Sequence, residues 1–390
     1  MNILLSTYEI PGLSGNFLRA KQIAIGLSQN GCKTTLITSS SKRKLFPIKY
    51  IFDDSISIIE SPGFLPLRFR HGGIDPYDFM WRCILLMTEK ADIFHAFNPK
   101  INSSIPMLLI GKIKKIPVYF DWADLWGEGG IREAKKQYSL SNISSLLETL
   151  LEKELPKHVT AVTCISKNMV KACTTNKIKS IYLPVGLAPD IAPTQKKYAY
   201  QKIKILEKQS STVGFIYTDS PDQKFLCEII KESYSINKNV QFLLMGPPIH
   251  SLTQSENVLF NDFVERNEIA HYLAICDFCI LPFQDKKINK YRYPNKIGDY
   301  LASQKPFLSN PTGDIKELIQ TYNIGWLTDE NPKQFAKKIS LISKDKPAIK
   351  MATDNIKKNK HLFTWKKITA TLKENYLHEL NLRKTKFKSV

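Results

Sequence analysis

Apolar positions along this chain fall into two alternating rhythms. Residues 2–7 form a short unbroken apolar run, the signature of a buried strand. From Phe17 to Asn30 the apolar residues Leu18, Ile23 and Leu27 recur at helical spacing, and Gly31 closes the segment. A second strand is expected over 33–38. The alternation continues with a helix near 77–89, a strand at 92–97, a helix at 102–115 and a strand at 118–121. A helix from 143 to 155 then stops at Pro156, and strands at 159–164 and 181–183 follow. Six strands alternating with helices predict a parallel sheet covered on both faces, a doubly wound α/β layout.

The rhythm breaks over 188–210, which is polar and carries Pro189 and Pro193, and this stretch reads as a linker. A second α/β series follows: strands at 212–217, 240–246, 258–260, 278–281 and 306–309, with helices at 222–234, 266–276, 295–303 and from Asp314. A helix with an aromatic start runs from Phe363 to Tyr376. Beyond Asn381 the chain carries four cations and no anion, and fraying is expected there. The organisation expected is a first Rossmann-like domain over 1–190, a second over 191–362, and a terminal helix with a basic tail over 363–390.

Composition narrows the class. With 390 residues, 43% hydrophobic and 11% aromatic, the chain fits a globular enzyme large enough for two cores. No apolar run approaches the ~18 residues of a membrane span, and the start lacks a basic segment before its apolar run, so a cytoplasmic protein is expected. The seven cysteines are an odd number scattered through apolar segments, which suits reduced core thiols. Cys276 and Cys279 have C-x-x-C spacing but no second pair, so no metal site is expected. The formal charge of +20 suits a polyanionic partner such as an anionic membrane face or a phosphorylated lipid. No nucleic-acid motif accompanies it, and nucleic acid is not expected as a partner.

The stretch from Tyr291 to Pro306 concentrates candidate chemistry. Pro294 biases Tyr293 away from helical dihedrals, and Asn295 is a favoured N-cap. Lys296 then lies in the first turn, where a cation is unfavourable unless an anion joins it. Asp299 shares its helical face and suits sugar or ribose hydroxyls. The plainer account is a surface Lys296–Asp299 ion pair. In open sheets ligands gather at the carboxyl ends of strands, where Asp121 and Asp124 fall. They stand among Trp122, Trp126 and three glycines, a combination suited to sugar stacking and hydroxyl binding, although capping of the next helix is the simpler role. Which of the two meets the reacting centre is left open. Gly246, before two prolines at another strand end, permits close backbone approach.

The run from Pro294 to Pro306, with Asn310 to Leu318 behind it, resembles the donor-site signature of group 1 glycosyltransferases, a retaining family of GT-B fold. The resemblance implies two Rossmann-like domains facing a central cleft, with the terminal helix crossing back to the first. It implies that Asn295, Lys296 and Asp299 grip the diphosphate and ribose of a nucleotide-sugar. By the same resemblance Gly15 and Asn16 lie against donor phosphate and sugar, and His95 contacts the donor sugar. Lys224 is the match for the basic residue that neutralises the leaving diphosphate, and Val264 for the loop packed on the base. Of the family's two spaced glutamates, the first falls on Tyr291 and the second on Asp299, so the sugar-gripping acid is missing.

The activity implied is transfer of a sugar, with retention, from a nucleotide-diphosphate donor to a glycan or lipid-linked acceptor in surface polysaccharide or glycolipid synthesis. The candidate catalytic residues are His95, Asp121 and Asp124, and no metal or cofactor is required. Phe64 to His71 interleaves apolar and basic residues, which suits peripheral contact with an anionic membrane or an ordinary buried loop. Two other readings stay open: a UDP-sugar epimerase of the same fold, and a non-catalytic polyanion- or membrane-binding protein.

Overall fold

A computed structural model describes residues 1–11, 15–53, 55–127, 129–131, 141–203, 211–217, 222–261 and 264–388. The chain divides into two compact units, one built from Met1–Val185 with Thr364–Val390 and the other from Gly186–Phe363.

The sheet of the first unit has the order β3-β4-β2-β1-β5-β6-β7-β8. Its strands are β1 (Asn2–Ser6), β2 (Lys33–Arg43), β3 (Ile48–Phe52), β4 (Ile56–Gly63), β5 (Ile93–Phe97), β6 (Val118–Trp122), β7 (Ala161–Cys164) and β8 (Ser180–Tyr182). All pairings are parallel except β3 with β4. Every residue of β5 and β6 is buried, as expected of strands covered on both faces. The sequence reading missed β3 and β4. All of β3 but its last residue is exposed, so it shows no inside–outside alternation to detect.

The second sheet has the order β11-β10-β9-β12-β13-β14, all parallel. These strands are β9 (Ser211–Ile216), β10 (Val240–Met245), β11 (Val258–Asn261), β12 (Phe278–Leu281), β13 (Phe307–Ser309) and β14 (Gly325–Leu327). The stretch read as a linker carries a helix, Lys196–Ile203. The terminal helix spans Trp365–Lys388, so the expected fraying beyond Asn381 is corrected. There Arg383 donates to Glu379 at 3.0 Å and to the Lys115 carbonyl at 3.0 Å, satisfying a cation that the sequence left unpaired.

Both strand orders reverse direction once. In the first sheet the chain leaves β1 toward β2 and returns on the other side at β5; in the second it leaves β9 toward β10 and returns at β12. The carboxyl ends of β1/β5 and of β9/β12 are therefore the topological switch points, where open α/β sheets bind ligands.

Candidate functional site

At the second unit's switch point, two cations converge on aromatic rings. The Arg292 guanidinium lies 4.2 Å from the centroid of Phe283, two residues past β12. The Lys296 ammonium lies 5.4 Å from the centroid of Phe215, on β9. Burial pushes the Lys296 amine down to about 8; the neighbouring Arg292 charge pushes the same way, and Asp299 opposes both. Two cations held close together in a half-buried place concentrate positive charge there, and the nearest acids are Asp222 beside Arg292 and Asp299 beside Lys296.

Asp222, fully buried, anchors one side of this arrangement. It accepts from Lys286 Nζ at 2.9 Å and Asn289 Nδ2 at 2.8 Å, with Arg292 Nη2 3.8 Å away. Lys224, two residues on, is exposed and stands outside this cluster. Arg292 was missed by the sequence reading, and its spacing was the available signal: it lies four residues before Lys296, across Pro294.

The entry to the helix Lys296–Ala302 differs from expectation. Asn295 is exposed, has helical dihedrals (φ −55°, ψ −30°) and makes no capping hydrogen bond. The amides of Ile297 and Gly298 already bond to the carbonyls of Pro294 and Asn295, at 3.0 and 2.9 Å. The chain enters the helix through a turn that uses these N–H groups, which corrects the reading of Asn295 as an N-cap above free amides. Asp299 is buried and pairs with Arg266 rather than Lys296: Nη2 to Oδ1 is 2.7 Å. The same guanidinium grips Asp190 at 2.8 and 3.1 Å. Burial raises the Asp299 carboxyl while Arg266 draws it down.

Gly246, just past β10, has φ +158°, and a Cβ there would collide with the Tyr217 carbonyl oxygen. Its amide bonds to the Asn261 carbonyl at 3.0 Å. Val264 is half-buried; its neighbours at 262–263 lie outside the described residues.

In the first unit, His95 and Asp121 come together in a sealed network. Asp121 accepts from Arg19 Nε and Nη2, both at 2.9 Å, and from Thr163 Oγ1 at 2.6 Å. His95 Nε2 meets that Thr163 hydroxyl at 3.1 Å, and Nδ1 meets the Tyr376 hydroxyl at 2.5 Å. Both residues are fully buried, and burial lowers the His95 imidazole to about 4, leaving it neutral near pH 7. Asp124, by contrast, is half-buried beyond β6. Its charge, with those of Glu9 and Glu148, adds to burial in raising the Tyr8 phenol. Glu152 fixes the backbone of this loop, accepting from Trp122 Nε1 at 2.8 Å and from the amides of Trp126 and Gly127 at 2.9 and 2.8 Å. Gly15 and Asn16 begin the helix Gly15–Gln29; their side chains and residues 12–14 lie outside the described part.

No described group of three histidine, cysteine or carboxylate residues is arranged to hold a metal. No described helix is long and apolar enough to cross a membrane.

Residues 196–345 match the family model described as glycosyl transferases group 1. A putative teichuronic acid biosynthesis glycosyltransferase, TuaH of Bacillus subtilis strain 168, is 22% identical over 231 residues, which is 56% of each chain. Sucrose-phosphate synthase from Thermosynechococcus elongatus superposes with a TM-score of 0.72 at 13% identity, over 98% of this chain and 100% of its own. Anabaena HepE in complex with UDP and glucose gives 0.68 at 14% identity, over 96% and 99%. The fold is that of the GT-B proteins, and the stretch that matches the group 1 glycosyltransferase model lies within the second unit.

Proposed function

We propose that this chain is a glycosyltransferase that moves a sugar from a nucleotide-diphosphate donor to a glycan or lipid-linked acceptor, with retention of anomeric configuration. The observation that carries the proposal is the Arg292–Lys296 cation pair at the β9/β12 switch point, inside the region matching the family model. When the diphosphate leaves the anomeric carbon, negative charge grows on its oxygens. Fixed cations in a half-buried place stabilise that charge without reorganising, the term that dominates many enzymatic rate enhancements. Arg292 takes the part first assigned to Lys224, because Lys224 stays exposed while Arg292 lies beside Lys296.

In this reading Asp299, aimed by Arg266, takes the ribose hydroxyls. Gly246 and Val264 border the donor. Asp124 is the acid exposed enough to meet substrate hydroxyls. His95 and Asp121 act from within the core by holding the β5 and β6 strand ends in place. The scheme uses no metal or other cofactor, since side-chain cations neutralise the leaving group. TuaH supports a role in surface polysaccharide synthesis, and the cationic surface supports work at the cytoplasmic face of an anionic membrane.

The test is thermal stability of the purified protein with UDP, GDP, ADP and their sugar conjugates. A donor at about a hundred times its Kd should add roughly 2.7 kcal/mol. The gain should vanish in Lys296→Ala and Arg292→Ala and persist in Lys224→Ala. Stabilisation by none of these nucleotides would overturn the proposal.

A further inference from the structure

A cavity of about 430 Å³ opens beside the first unit's switch point. That volume is within the ~300–1,000 Å³ range of small-molecule sites. Its walls come from three elements: Phe69 on the short helix Leu67–Arg70, Ile101 at the start of Ile101–Lys114, and Leu147 and Leu151 on Ser141–Glu154. Two polar wall residues, Lys100 and Glu148, are buried and paired to each other. The Lys100 ammonium also lies 4.1 Å from the Trp126 centroid and 5.1 Å from that of Tyr8, so its charge is occupied.

One lining cation is left over. Arg68 is exposed and makes no ion pair among the described residues; its guanidinium lies 4.7 Å from the Phe69 centroid. Arg70, on the same short helix, is buried and donates to the Ser40 and Leu65 carbonyls, so it is structural. Beside Arg68 in the chain, Phe64 is 64% exposed and Leu67 45%, and on the helix Ser141–Glu154 Leu146 and Leu150 are 62% and 51% exposed.

These features select a ligand class. A glycan needs many free donors and acceptors, and the two buried polar groups here already satisfy each other. A peptide strand would leave its backbone groups unpaired against these apolar walls. A hydrocarbon chain loses nothing by entering, and an anion at its end meets Arg68. We propose that this cavity binds the chain of an anionic, phosphate-bearing amphiphile, with Arg68 holding the headgroup at the mouth. Only the amphiphile's role as acceptor rests on the transferase reading; the binding stands apart from it.

The probe is dodecyl phosphate below its micelle concentration, titrated calorimetrically into the whole chain, with dodecanol and inorganic phosphate as the separate chain and anion arms. Saturable one-to-one binding of dodecyl phosphate is expected. It should weaken about tenfold or more in Leu151→Asp and in Leu147→Asp, as loss of apolar burial dictates. Arg68→Ala should weaken dodecyl phosphate several-fold and leave dodecanol unchanged. Leu147 is already 37% exposed, so its variant keeps the test valid where Leu151→Asp fails to fold. Overturning results are absence of saturable binding, equal affinity in Leu147→Asp, or inorganic phosphate binding as tightly as the alkyl phosphate. UDP stabilisation is measured in parallel. UDP binding without dodecyl phosphate binding refutes this inference alone, and the reverse refutes the nucleotide reading alone.

Discussion

Asp121 and Asp124 stand three residues apart, yet their surroundings give them opposite roles. Removing the Asp121 carboxylate strands the buried Arg19 guanidinium, and breaking a buried pair this way costs about 3–5 kcal/mol. Asp121→Ala should therefore lower the urea midpoint sharply, with Asp124→Ala shifting it much less; equal shifts would refute the distinction. Lys296 makes a different prediction, readable in protons. Its amine titrates near 8 in the free protein, and a bound diphosphate must raise that value. Between the two values the free protein is deprotonated and the complex protonated, so donor binding at pH 8.5–9 should take up a proton. Calorimetry in buffers of different ionisation enthalpy should show uptake at pH 9, little at pH 6.5, and none in Lys296→Arg. Uptake that persists in Lys296→Arg would assign the proton elsewhere. Lys296 and Asp299 were legible in the sequence because a helix entry after proline is a local pattern. Arg266 was not, because its bond to Asp299 joins residues 33 positions apart, a pairing no local pattern reveals.

At the scale of elements, the helix Lys296–Ala302 packs through a missing side chain. The Ala188 amide bonds to the Gly298 carbonyl at 3.1 Å, and a Cβ on Gly298 would collide with the Gly186 carbonyl oxygen. Helix propensity alone says that alanine here should gain about 1 kcal/mol over glycine. The collision is with backbone, which has little room to give, so Gly298→Ala should instead lower thermal stability. It should also weaken donor binding, because Lys296 and Asp299 move with the helix; a stability gain would show that the segment after Val185 yields easily. Sequence patterning revealed the central strands because β5, β6 and β10 are uniformly buried. It missed β14, whose three half-buried residues are too few to set a period. The same limit hid the cavity, since its walls come from three helices whose leucines read individually as ordinary helix faces.

Over the whole molecule, the chain leaves the first unit at Val185 and re-enters it at Thr364. The returning helix completes that unit's core: Leu372 and Tyr376 are fully buried, and the Tyr376 hydroxyl meets His95 Nδ1. Asn30 donates to the Lys366 carbonyl at 2.8 Å and accepts from Lys373 Nζ at 2.6 Å. A chain ending at Phe363 would expose apolar surface on the first unit and leave His95 with one ring nitrogen unpartnered in a former core. The second unit keeps its whole sheet and both cations of the proposed donor site. Truncation after Phe363 should therefore split unfolding into two transitions, an early one for the first unit and a later one that nucleotide still raises. In the intact chain Tyr376→Phe should lower stability by about 1–3 kcal/mol, the cost of a buried polar group left unpaired. A single transition that nucleotide no longer moves would mean that the second unit draws its stability from the first, and that the returning helix serves both.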